Sequence, residues 1–388
     1  MKRFFYILVF IFFVSCNTKP YTVTHDIGLK SANDLKLFTL IPNDETGVDF
    51  SNTVEETEEL NFLNFGNIYN GGGVATSDFN NDGLVDIFFT ANQQSNKLYL
   101  NKGEFKFEDV TENSGLKDAQ GWTTGVSVID INNDGWLDIY ISKSGELTDN
   151  SKRENKLYIN QKDNTFIDKA KEWKINDPGF STQSYFFDFD RDGDLDLYLV
   201  NHRPDFENSG TLNMQIERAY SRFSSDILYR NDGSFFTDIT HKAGIVNKAW
   251  GLSASIGDFN GDNWPDVYVC NDFLTPDMLY VNNKNGTFTN QVLNSMNHIS
   301  FSSMGSDYSD INNDSLADIV AVDMVAADNY RSKEASGQVS ITLCISIDFG
   351  ATIEIIMSNY RFKVSINKGS LKAIKRPSHI RYGALVNG

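Results

Sequence analysis

Cysteine is nearly missing from this chain of 388 residues, with only Cys16, Cys270 and Cys344 present. A small fold stapled by disulfides is thereby excluded. Proline is sparse at seven, and the five histidines (His25, His202, His241, His298, His379) are scattered along the chain. None falls in an H-E-x-x-H zinc pattern, and no G-x-S-x-G elbow or phosphate-binding glycine loop occurs. Positive charge is short too: 34 Lys and Arg stand against 52 Asp and Glu, a formal charge of −18. That balance argues against a nucleic-acid partner, which requires a concentrated basic surface. Long apolar runs are absent except at residues 4–14, and those eleven residues fall short of the ~20 that span a bilayer as a helix.

What the chain has instead is strand-like alternation, 13% aromatic residues, and one acidic pattern repeated five times. "DFNNDGLVD" (78–86), "DINNDGWLD" (130–138), "DFDRDGDLD" (188–196), "DFNGDNWPD" (258–266) and "DINNDSLAD" (310–318) all read D-x-[DN]-x-D-x-x-x-D. Carboxylates crowded ~4–6 Å apart repel by about a kcal/mol or more at a surface-like dielectric. Alternate oxygens around one hard cation remove that cost, and a glycine such as Gly83 supplies the turn. Five loops in register make calcium the expected cofactor, up to about five ions per chain.

Two calcium motifs are excluded. An EF-hand needs a bidentate Glu at position twelve and a following helix; here position twelve is Phe89, Ile141, Leu199, Val269 and Ala321. Nonapeptide β-helix repeats fail because the loops recur at intervals of 52, 58, 70 and 52 residues. Each interval carries a small-residue strand into the loop ("TTGVSVIDI"), an alternating strand out of it ("DIYIS"), and a Leu-Tyr hairpin ("NKLYINQKDNTFID"). Four short antiparallel strands per unit are a propeller blade.

The pattern resembles the FG-GAP/VCBS repeat of integrin-like β-propellers, which implies an all-β fold of four-stranded blades. Seven blades are usual there, and five to six are recognisable here. The resemblance implies cages in which the seventh position contributes its carbonyl. The first is Asp78, Asn80, Asp82, Leu84 and Asp86; the second is Asp130, Asn132, Asp134, Trp136 and Asp138. The third is Asp188, Asp190, Asp192, Asp194 and Asp196; the fourth is Asp258, Asn260, Asp262, Trp264 and Asp266. The fifth is Asp310, Asn312, Asp314, Leu316 and Asp318. Asn263 and Ser315 replace the turn glycine in the last two. Asn tolerates the left-handed backbone better than Ser does, so the fifth cage is expected to be weakest and the four-carboxylate third cage tightest.

The N-terminus and the stretches "FTLIPNDETGVDFSN" and "VDMVAADNYRSK" resemble exported lipoproteins of Bacteroidetes-type bacteria. Residues 1–15 read as a signal peptide with Lys2 and Arg3 ahead of the apolar run. "FVSC" is similar to a lipobox, with Phe13 in place of the usual Leu, which implies lipidation of Cys16. A plain secretory signal is the alternative. Residues 16–35 are expected as a tether, 36–333 as the propeller, and 334–388 as an atypical, truncated or frame-shifted tail. A segment near 36–70 is expected to add a partial blade or closing strand.

Nothing in the motifs announces catalysis. Carboxylate pairs abound, but nearly all fall in the cages, where a bound cation holds them ionised and makes them poor proton donors. The expected function is a binding module at an outer membrane, anchored through its lipid and recognising a protein or glycan. The alternative is an accessory carbohydrate-processing enzyme of lyase or hydrolase type. Trp122 and Trp250, each eight residues ahead of a cage, are either a ligand-facing platform or wedges between blades.

Overall fold

β-Branched and aromatic residues follow every aspartate loop, and they form the second strand of each blade. The computed structural model describes residues 38–58, 60–62, 65–118, 121–145, 149–203, 222–272, 275–296, 299–300, 302–314 and 316–324, and strands within 352–376. The leader 1–15, the tether 16–35 with Cys16, and Ser315 lie outside the described residues. The chain divides into two units, Met1–Pro42 and Asn43–Gly388. In the first, the described residues 38–42 carry neither helix nor strand.

The second unit is all-β, with four complete antiparallel sheets. Blade one is β1 (Val74–Ser77), β2 (Asp86–Phe89), β3 (Lys97–Asn101) and β4 (Phe107–Asp109). Blade two is β5 (Trp122–Ile129), β6 (Asp138–Ser144), β7 (Lys156–Asn160) and β8 (Phe166–Asp168). Blade three is β9 (Ser181–Phe187), β10 (Asp196–Asn201), β11 (Ile227–Asn231) and β12 (Phe236–Asp238). Blade four is β13 (Trp250–Gly257), β14 (Asp266–Asp272), β15 (Met278–Asn282) and β16 (Phe288–Asn290). In every one the strands hydrogen-bond in chain order, each to the next. Blade five shows β17 (Ser303–Ser309) paired with β18 (Asp318–Asp323). A separate three-stranded meander follows: β19 (Thr352–Met357), β20 (Tyr360–Asn367) and β21 (Ser370–Arg376).

Every large core is shared by two consecutive blades. Phe79, Phe88 and Leu98 of blade one pack with Val126, Ile139 and Phe166 of blade two. Tyr140 and Leu157 meet Leu197, Leu199 and Phe236 in the next. Phe187, Tyr198 and Leu228 then meet Val267, Tyr280 and Phe288. The strands β6, β10 and β14 are buried along their whole length because each is covered on both faces. In blade five, by contrast, Val320 and Val322 of β18 are exposed.

The first strands lie beside one another, β5 against β1 and β9, and β13 against β9 and β17. Small residues permit that approach: a Cβ on Gly125 would sit 2.5 Å from the Thr182 carbonyl oxygen.

One expectation is corrected. The described residues between 38 and 73 contain no strand, only the short helix α1 (Asn43–Thr46). The acidic run "TVEETEEL" and the turn-rich "NFGNIYNGGG" lack the alternation of a strand. The segment instead packs on blades one and two: Phe50 stacks on Phe89 at 4.6 Å, and Phe65 meets Trp122 edge-on at 5.5 Å.

Candidate metal centres in the aspartate loops

All five loops join the first strand of a blade to its second, and all fold on their own aspartates. In the first, Asp78 accepts from the amides of Asp82 (3.1 Å) and Gly83 (2.8 Å). Asn80 accepts from the same Asp82 amide, and Asp82 accepts from that of Leu84 at 2.8 Å. The second loop repeats this through Asp130, Asn132, Asp134 and Trp136, and the fourth through Asp258, Asn260, Asp262 and Trp264. In the fifth, Asp310 and Asn312 accept from Asp314, and Asp314 from Leu316. The loop's own amides thus orient the first, third and fifth side chains. The turn residue Asn263 takes the left-handed conformation (φ 65°), as Gly83 and Gly135 do.

The ninth aspartate has a second occupation that sequence reasoning missed. Asp138 is fully buried, and its two oxygens accept the amides of Ile131 (3.2 Å) and Asn160 (2.8 Å). The same pair of bonds recurs at Asp86, Asp196 and Asp266. Asp318 takes one of the two, from Ile311. In the first four blades this aspartate thus staples the loop to the third strand. Burial pushes Asp196 up to about 8 and Asp138 to about 6, against the pull of those amides.

Two further positions escaped the reading. The second loop residue is always apolar (Phe79, Ile131, Phe189, Phe259, Ile311), and in the first four loops it seats the loop against the following blade. Phe79 lies 6.3 Å from Phe166, and Phe189 lies 6.0 Å from Phe288. Its carbonyl is taken as well: the Asn160 side chain donates to Phe79 and that of Asn282 to Phe189, both at 2.8 Å. The fourth position is left-handed in all five, at Asn81, Asn133, Arg191, Gly261 and Asn313. Asn or Gly at four of these five positions was the available signal.

The third loop differs in charge. Asp188, Asp190 and Asp196 bring carboxylate oxygens within 4.8 Å of one another. One oxygen of Asp190 and one of Asp194 are buried without a hydrogen-bond partner. Burial, then repulsion from Asp192 and Asp190, raises Asp194 to about 6. Hard oxygen donors with unspent lone pairs fit a cation such as calcium. Such an ion would favour the ionised forms that burial opposes.

Trp122 and Trp250 are not a ligand platform. Trp250 is completely buried and Trp122 is 3% exposed. Each begins a first strand, paired with Asp272 or Ser144 on its neighbour. Arg203 covers the Trp250 ring at 5.1 Å, and Phe65 abuts Trp122. Trp264, at position seven of the fourth loop, is partly exposed, as are Trp136 and Trp173, and Arg191 lies 5.6 Å from its centroid.

A chain of repeated four-stranded blades, each hinged on an aspartate loop, is a protein of the β-propeller class. Three stretches match the FG-GAP-like repeat, at residues 78–141, 147–199 and 258–321, and all five loops fall inside them. The chain thus carries three FG-GAP-like repeats. The chain is also similar to cartilage acidic protein 1 of Xenopus tropicalis, 30% identical over 139 residues. That match covers 35% of this chain and 20% of that protein's length.

Proposed function

We propose that this is a calcium-loaded propeller module that binds a protein or glycan outside the cell, held at an outer membrane through a lipid on Cys16. The repeats support a binding-type module. Calcium is supported chiefly by the third loop, where Asp188, Asp190 and Asp196 converge and one buried oxygen of Asp190 has no hydrogen-bond partner. Asp188, Asp190, Asp192 and Asp196 would hold the ion there, with their counterparts in the other loops. An ion would neutralise each cluster and lock the turn between first and second strands, so that metal affinity becomes folding stability.

A glycan array and a turnover assay on the calcium-loaded chain test the binding reading. Retention of a ligand without product, weakened in Asp78→Ala, is expected. Steady product formation by the wild type contradicts it and favours the carbohydrate-processing alternative.

A further inference from the structure

Between the third and fourth loops lies a cleft of about 280 Å3 lined by Asp190, Arg230, Lys242, Trp264, Lys284 and Asn285, among others. We propose that this cleft binds an anionic pyranose, a sugar ring bearing a carboxylate or sulfate.

Three cations face one small cavity in a chain whose formal charge is −18. Lys242 is exposed and has no ion-pair partner among the described residues. Trp264 offers a half-buried aromatic surface to the same space. Asn285 spends its oxygen on the Thr287 amide (3.1 Å) and hydroxyl (2.6 Å), leaving its amide donors for a ligand. Cations for an acidic group, an indole for the C–H face of a ring and amide donors for hydroxyls are together what a sugar acid presents to match. The volume suits about one ring, below the ~300 Å3 at which pockets for larger organic ligands begin.

The inference rests on the calcium reading, because acidic groups stand in the way of an anion. Asp232 already pairs with Arg230 at 2.7 Å, which leaves Lys242 and Lys284 as the main anion-facing cations. Asp190 lines the cleft, and Lys284 is held 3.2 Å from Asp262. Ions in the third and fourth loops would draw on both carboxylates, covering the charge of Asp190 and releasing Lys284. Anion binding therefore requires calcium.

Titration of the full chain with trigalacturonate, a sulfated galactose trisaccharide, neutral galactotriose and hexaglutamate, in 2 mM calcium and in EDTA, tests this, with bound calcium counted by native mass spectrometry. At least one anionic sugar is expected to bind tenfold or more tightly than the neutral one, and to be lost in EDTA. Lys242→Gln should weaken it at least fivefold at unchanged melting temperature and calcium count, while Lys242→Arg retains it. With calcium bound, failure of both anionic sugars overturns the site, as does an inert Lys242→Gln. Equal binding of hexaglutamate or galactotriose overturns the assignment to an anionic ring. Binding that survives EDTA in a calcium-loaded chain overturns the coupling, and a chain that takes up no calcium overturns the reading beneath both.

Discussion

At the scale of single residues, the ninth aspartate of each loop works harder than its neighbours. Two amides converge on the Asp138 carboxylate in a fully buried place. Asp138→Ala leaves both amides unsatisfied and is expected to cost on the order of 3 kcal/mol in urea unfolding, calcium present or absent. A loss seen only with calcium would mean that the residue acts through metal alone. A related buried acid, Asp226, supplies the pH dependence. It receives Tyr198, Asn247 and the Asn201 amide at 2.7–2.9 Å, yet burial raises it to about 6. Its folded pKa lies above its unfolded one, so the folded chain holds a proton that the unfolded chain releases between about pH 4 and 6. Its contribution to stability therefore falls as pH rises through that window. From pH 7.5 to pH 5 the wild type should gain about 1 kcal/mol relative to Asp226→Asn. A relative loss on acidification would show that the three donors outweigh burial.

At the scale of elements, the loops and strands are tied across blades as well as within them. The Asn160 side chain donates to the carbonyls of Phe79 and Leu137, joining blade two to the loop of blade one. Asn160→Ala should speed hydrogen exchange in residues 78–86, in the other blade, and cost about 2 kcal/mol. Exchange changes confined to blade two would contradict the tie. Among the first strands, Gly125→Val forces a side chain toward the Thr182 carbonyl and is expected to cost about 2 kcal/mol or prevent folding. Much of this scale was legible in the sequence. "DIYIS" and "NKLYIN" became β6 and β7 because β-branched and aromatic residues at period two leave little else to form. The aspartate spacing located each turn. What stayed hidden was which blade covers a given apolar residue. The spacing placed Trp250 and Trp264 relative to the fourth loop but not in space: one is entombed beside Arg203 and the other opens on a cleft. Only the packing of one blade on the next separates them. The segment before blade one misled for a similar reason: Phe65 and Ile68 are buried without belonging to any strand.

At the scale of the whole molecule, the account makes stability depend on metal. The five loops hold 16 of the 52 carboxylates at their first, third, fifth and ninth positions, and metal-free these repel one another. A ligand bound only by the folded state at about a thousandfold above its Kd adds ~4 kcal/mol per site. Chelation is therefore expected to lower the melting temperature by about 10 °C or more. Sites should empty in order, the exposed fifth loop first and the third loop last. The central claim, that aspartate loops are cation sites, is tested most directly by native mass spectrometry of the folded chain in calcium. The account predicts several bound ions, approaching five, with one fewer in a chain carrying Asp188→Asn and Asp190→Asn together. A folded chain at its bare mass, with no calcium at any loop, would contradict it.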